Sequence, residues 1–71
     1  MRIDYYAETD SLYIDLADKV GSDSREVAPG VALDFDESGR LVGIGIDHAS
    51  EIVDLSRLDV EGVPIKTRVK S

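Results

Sequence analysis

The sequence predicts a small α+β domain: an antiparallel β-meander of four to five strands with one short helix packed on the sheet. Three observations predict it. Apolar and polar residues alternate with period two in "SLYIDLA" and "RLVGIGI", the signature of half-buried strands. Short polar stretches rich in Gly, Asp and Ser, "AETD" and "DESG", separate the alternating segments as hairpin turns do. After Ile46 the apolar spacing lengthens to three, in Ile52, Leu55 and Leu58, which is a helical period.

The elements follow in order. "RIDYY" sets Ile3 and Tyr5 on one face, and "AETD" connects it to "SLYIDLA", where Leu12, Ile14 and Leu16 share a face opposite Ser11, Tyr13 and Asp15. These form the first hairpin, residues 1–17. "DKVGSDS" is a polar loop around Gly21. "REVA" gives a short strand ended by Pro29-Gly30, and "VALDF" puts Val31, Leu33 and Phe35 on one face. "RLVGIGI" returns with Val42, Ile44 and Ile46 on one face and Leu41, Gly43 and Gly45 on the other. Residues 24–47 are thus the second hairpin region. A helix over 48–58 follows, capped by Asp47 or Ser50, whose side chains can accept a bond from a free first-turn amide. Residues 59–71 are a tail or an edge strand, since Pro64 cannot donate to a ladder. The expected core is Ile3, Leu12, Ile14, Leu16, Val31, Leu33, Val42, Ile44, Ile46, Ile52 and Leu55.

At 71 residues the chain is one domain. A chain this short buries only about 60% of the surface its unfolded form exposes, and such domains often gain stability by oligomerising. It has no cysteine, which removes disulfides, thiolate metal sites and cysteine nucleophiles. No apolar run approaches the length of a membrane span. "MRIDYYAETD" has no apolar signal region, so a cytoplasmic location is expected. The formal charge is −7. Lys66, Arg68 and Lys70 sit together near the end, so residues 1–65 hold 5 basic against 15 acidic residues, a net of −10. An acidic body repels phosphate backbones, which argues against nucleic acid as its partner, and favours encounter with a basic protein.

Three constellations invite chemistry. Asp34, Asp36, Ser38 and Gly39 match the first half of a calcium loop, but the twelfth position is Gly45 where a bidentate carboxylate is needed, and the flanks alternate as strands. The same letters make a turn: Asp36 bonds the amide two residues on, and Gly39 takes the left-handed conformation. Asp34, Asp36 and Glu37 then offer at most an incidental cation contact. Asp47, His48 and Ser50 have the residue types of a hydrolytic triad, yet a working triad needs three side chains that converge, and capping explains these residues better. No catalytic residue, metal site or cofactor is expected.

The remaining features point to contact surfaces. Tyr6 and Tyr13 lie on the face opposite Leu12 and Ile14, near Asp15. Exposed tyrosines combine apolar area with a polar tip, as at protein interfaces; they also serve as cross-strand partners. Gly43 and Gly45 leave a bare strip on one strand face. Such a strip accepts a packed aromatic or a neighbouring chain, or stands empty.

The chain resembles the family of small bacterial and archaeal proteins called domain of unknown function 2283. The resemblance rests on "YYAETDSLYIDL", with Tyr5 or Tyr6, Asp10, Leu12, Tyr13 and Ile14, then on "EVAPGVALDFD" and "GRLVGIGIDHAS". It covers residues 3–50; Gly45 stands where the family often has an acidic residue. The resemblance implies a β-meander with a short helix, no established catalytic residues, and similarity to the antitoxin-like partners of small basic toxins. The function expected is a non-enzymatic protein-interaction module, with an antitoxin-like partner of a basic toxin as its specific form. Its interface residues are Tyr6, Tyr13, Asp15, Gly43 and Gly45. The alternative is a structural domain that forms a homodimer through a sheet edge or the glycine strip.

Overall fold

A computed structural model describes residues 1–56 and the backbone of 66–70. The alternating segments become β1 (Arg2–Tyr6), β2 (Ser11–Asp15), β3 (Asp23–Ala28), β4 (Val31–Phe35) and β5 (Leu41–Ile46); α1 (Ala49–Ile52) and β6 (Lys66–Lys70) follow. All six strands lie in one sheet, in the order β3-β4-β5-β2-β1-β6. The pairings among β1 to β5 are antiparallel, and β6 runs parallel to β1. The small α+β class therefore holds, but the order is not that of a simple meander. β2 pairs with β5, setting Leu12 opposite Ile46 and Ile14 opposite Ile44. β3, with Asp23, Arg25 and Glu26 and every residue exposed, goes to the edge. Charged side chains and a bulge between Glu26 and Ala28 protect such an edge from unwanted pairing.

The turns form as the sequence predicts. Asp36 Oδ1 accepts from the Ser38 and Arg40 amides at 2.8 and 3.0 Å, and Gly39 has φ 82. The helix is shorter than the expected 48–58. It spans four residues, and part of its expected range, residues 57–58, lies outside the described residues. One cause is Asp54, whose carboxylate accepts the Ser56 amide at 3.0 Å; such a local bond competes with the helical ladder. The expected cap also differs. His48 occupies the N-cap with φ 52 and makes no side-chain cap bond. Residues 66–70 form an edge strand, and the rest of 59–71 lies outside the described residues.

Burial departs most from expectation. Only Val42, Ile46 and Ala49 are buried hydrophobics among the described residues. Ile3, Leu12, Ile14, Leu16, Val31, Leu33 and Ile44 are half-buried, and Ile52 and Leu55 are exposed. One helical turn at one end of a sheet cannot cover it, because a domain normally needs a second layer to bury the apolar face of the first. Val42 is the extra residue at the bulge between Asp34 and Phe35. Its carbonyl accepts the Leu16 amide at 2.9 Å, so the chain leaving β2 closes over it. Among the described residues no helix is long and apolar enough to cross a membrane.

Truncating Val42 to Ala should therefore cost about 2 kcal/mol in denaturant unfolding. Leu55→Ala, at an exposed position, should change stability by less than about 0.5 kcal/mol.

Candidate functional site

The pleat places all five expected interface residues on one face. Across the sheet, Arg2 pairs with Asp15, Asp15 with Gly43, and Gly43 with Asp34. One step along, Asp4 pairs with Tyr13 and Tyr13 with Gly45. Tyr6 lies opposite Ser11 at the end of the same face. Residues paired in register share a face, so this is the polar side of the sheet.

The glycine strip is filled by the protein's own tyrosine. The Tyr13 ring lies across β5, and its hydroxyl donates to Asp34 Oδ2 on β4 at 2.9 Å. A Cβ at Gly43 would overlap the Tyr13 hydroxyl and Cζ, whereas one at Gly45 would sit at 3.8 Å from Tyr13 Cδ1, an ordinary contact. Gly43 is thus the residue the ring requires. Burial, followed by the bond to Asp34 and the nearby charges of Asp34 and Asp15, pushes the Tyr13 phenol up to about 12.

Arg2 and two carboxylates complete this face. Arg2 Nε donates to Asp4 at 3.1 Å and its Nη2 to Asp15 at 3.2 Å. Asp4, in the middle of β1, is only 2% exposed. A buried carboxylate is tolerated because it is ion-paired. Tyr6 accepts the Thr9 amide on its carbonyl at 3.3 Å, and its ring is half-exposed.

A second constellation joins the first hairpin to the helix. Asp10, itself at φ 55, accepts four bonds through its side chain. Tyr5 donates from its hydroxyl at 2.7 Å; Ser50 donates from its hydroxyl at 2.6 Å and from its amide to both oxygens at 3.1 and 3.3 Å. The Asp10 carbonyl also accepts the Ala49 amide at 2.8 Å. The carboxylate that satisfies the free amides of α1 thus comes from a turn 40 residues earlier, and no local pattern could have revealed it. The bonds from Ser50 and then Tyr5 hold the Asp10 carboxyl below its usual range, and the bond to Asp10 raises the Tyr5 phenol.

Of the triad-like residues, Ser50 Oγ donates to Asp10, and His48 Nδ1 lies 3.8 Å from Glu51. A carboxylate held in its ionised form is a weak general base. Near the calcium-like segment an open hollow of about 490 Å³ is lined by Asp18, Lys19, Asp36 and Glu37 among others. Asp36 there is committed to the Arg40 and Ser38 amides, which lower its carboxyl below the usual range.

A family model described as "Protein of unknown function (DUF2283)" matches residues 2–50, the span from β1 to the start of α1. No curated protein and no solved structure matches the chain.

Gly43→Ala should destabilise by about 1–3 kcal/mol through overpacking. The same change in a Tyr13→Ala background should cost little, so a double-mutant cycle measures the fit. Because the native Tyr13 pKa stands above the ordinary 10.0, its contribution is complete below that value and fades as pH rises toward 12. Alkaline titration of tyrosinate absorbance should lose its highest component in Tyr13→Phe. Asp10 has the opposite sign: its native pKa is lowered, so its contribution is complete above the ordinary carboxylate range and fades as pH falls through it. Asp10→Asn should lower the melting temperature at neutral pH and flatten the acid limb of stability.

Proposed function

The chain belongs to the DUF2283 family, and from that premise we propose that it is a non-enzymatic protein-interaction module whose partner is a basic protein. The observation that supports this reading is the distribution of exposed charge. Glu8, Asp18, Asp23, Glu26, Glu37, Asp47, Glu51 and Asp54 are all exposed. The exposed cations among the described residues are Arg2, Lys19, Arg25 and Arg40, and two of these are engaged by carboxylates of their own chain. A field of this sign accelerates encounter with a positive surface and repels nucleic acid. An antitoxin-like neutraliser of a basic toxin, acting in the cytoplasm, is the specific form of the proposal. The half-exposed Tyr6 and the ion-paired Asp15 lie on the polar face as contact residues, beside the Tyr13 hydroxyl.

Co-expression with the product of the adjacent gene, followed by a pull-down across a salt series, tests the proposal. Capture of a basic partner that weakens as salt rises is the expected result. Failure to capture any basic protein at low salt, where attraction between exposed charges is strongest, removes it.

The second reading is self-association. It is favoured by the half-exposure of apolar residues on β1, β2, β4 and β5. A copy approaching the glycine strip meets the Tyr13 ring already lying there.

A further inference from the structure

We propose that β1 is the docking edge for the basic partner, and that β6 occupies this edge within the chain as a stand-in. An extended segment of the partner, with cations at alternate positions, displaces β6 and pairs with β1 in its place; this rests on the basic-protein reading above. The division of charge along the chain motivates it. Residues 1–65 carry a net of −10, while Lys66, Arg68 and Lys70 bring +3. These three lie in "KTRVK", which is β6, and every residue of β6 has a register partner on β1. The most basic segment of the chain is thus already seated on its acidic body.

The register gives this edge a pattern that a ligand must match. Lys66, Arg68 and Lys70 stand opposite Arg2, Asp4 and Tyr6, so their positions fall on the polar face with Tyr13, Asp15 and Asp34. Thr67 and Val69 stand opposite Ile3 and Tyr5, at positions on the apolar side. Asp4 makes the central position selective. It is 2% exposed and accepts from Arg2 Nε at 3.1 Å. Its register partners are Tyr13 on β2 and Arg68 on β6. A buried carboxylate is costly without positive charge near it, so the position opposite Asp4 favours a cation. The matching ligand is a strand in which cations alternate with β-branched residues.

Strand order makes β6 the replaceable member. It is the outermost strand on its side and pairs with β1 alone, so its departure breaks one ladder and leaves β3-β4-β5-β2-β1 joined. That ladder is parallel, the slightly weaker kind per residue. The family match, residues 2–50, includes β1 and ends before β6. The other edge is a poorer dock, because β3 mixes Asp23, Arg25 and Glu26 and carries a bulge, which deter pairing. Addition of an extended segment to a sheet edge draws affinity from main-chain bonds and specificity from alternate side chains. A segment tethered in the same chain competes at an effective concentration of about millimolar. β6 therefore excludes weakly matched basic segments and yields to one that fits β1 better.

Fluorescence anisotropy of the full chain with a labelled peptide of its own residues 65–71, "IKTRVKS", tests the proposal at low salt. Arg68→Glu sets an acid opposite Asp4 and loosens β6 without altering β1. It should raise affinity for the peptide about tenfold or more, and adding Asp4→Asn should remove that gain. A peptide of the same composition with its cations grouped, "KKRTVIS", should bind about tenfold or more weakly, and it reports any attraction due to net charge alone. NMR on the unsubstituted labelled chain with excess unlabelled peptide should show backbone contacts of Arg2–Tyr6 passing from residues 66–70 to the peptide, which keeps the test independent of how well the variants fold. Equal binding of the two peptides, no gain in Arg68→Glu, or β1–β6 contacts unchanged at saturating peptide overturns the inference. A basic protein captured by pull-down in a complex that keeps β6 on β1 also overturns it, and leaves the basic-protein reading standing. Peptide exchange with no basic protein captured removes that reading and leaves β1 as a site for basic strands.

Discussion

The pairing of β2 with β5 is the interaction on which the rest of this molecule depends. It joins two hairpins that have no contact in sequence, and it sets the register of everything on either side. Ile14 against Ile44 and Leu12 against Ile46 align the apolar rows. The same register brings Tyr13 over Gly43 and Gly45 and its hydroxyl to Asp34. A slip of one residue would reverse both faces at once, turning the isoleucines toward the ion pairs and placing Tyr13 where no glycine waits for it.

Two side-chain bonds hold that seam from different directions. The Tyr13 hydroxyl crosses β5 to reach β4, so one residue spans three strands. The Asp10 carboxylate ties the turn of the first hairpin to Ser50, just beyond the end of β5. Asp10 and His48 are the described non-glycine residues with positive φ, and both flank this tie. The backbone there adopts a sparsely populated conformation, and the bonds to Ser50 and Ala49 offset its cost. The family model spans both bonds in full, from β1 through Ser50, so they belong to the part of the chain that defines the family.

Much of this was legible in the sequence, and the reasons for the rest are specific. Period-two alternation located β1, β2, β4 and β5, because side-chain direction in a strand is a local property. The turn at 36–39 was legible for the same reason, since Asp36 and Gly39 act on their immediate neighbours. The glycine strip announced itself as a place where something packs, though not that Tyr13 of β2 fills it. Strand order was not legible: β3 follows β2 in sequence, and only the competition between charged β3 and apolar β5 for an interior position separates them. The burial of Asp4 depends on Arg2 two residues away and on the sheet around it. The helix start depends on Asp10, which is remote in sequence, so the local candidates Asp47 and Ser50 misled. The core was overestimated because periodicity reports which face is apolar, not whether anything covers it.

The parallel union of β6 with β1 has a consequence for the order of events in folding. β1 to β5 are linked by short connections and can assemble from neighbouring contacts. Arg2, by contrast, pairs with Lys66 and Tyr6 with Lys70, partners roughly sixty residues apart in sequence. Pairings of such sequence separation form slowly. Until that pairing forms, the outer side of β1 presents a row of unsatisfied amides and carbonyls, and unlike β3 it lacks a bulge to turn other chains away. The interval before residues 66–70 arrive is therefore the period in which this small sheet is most open to joining the wrong strand.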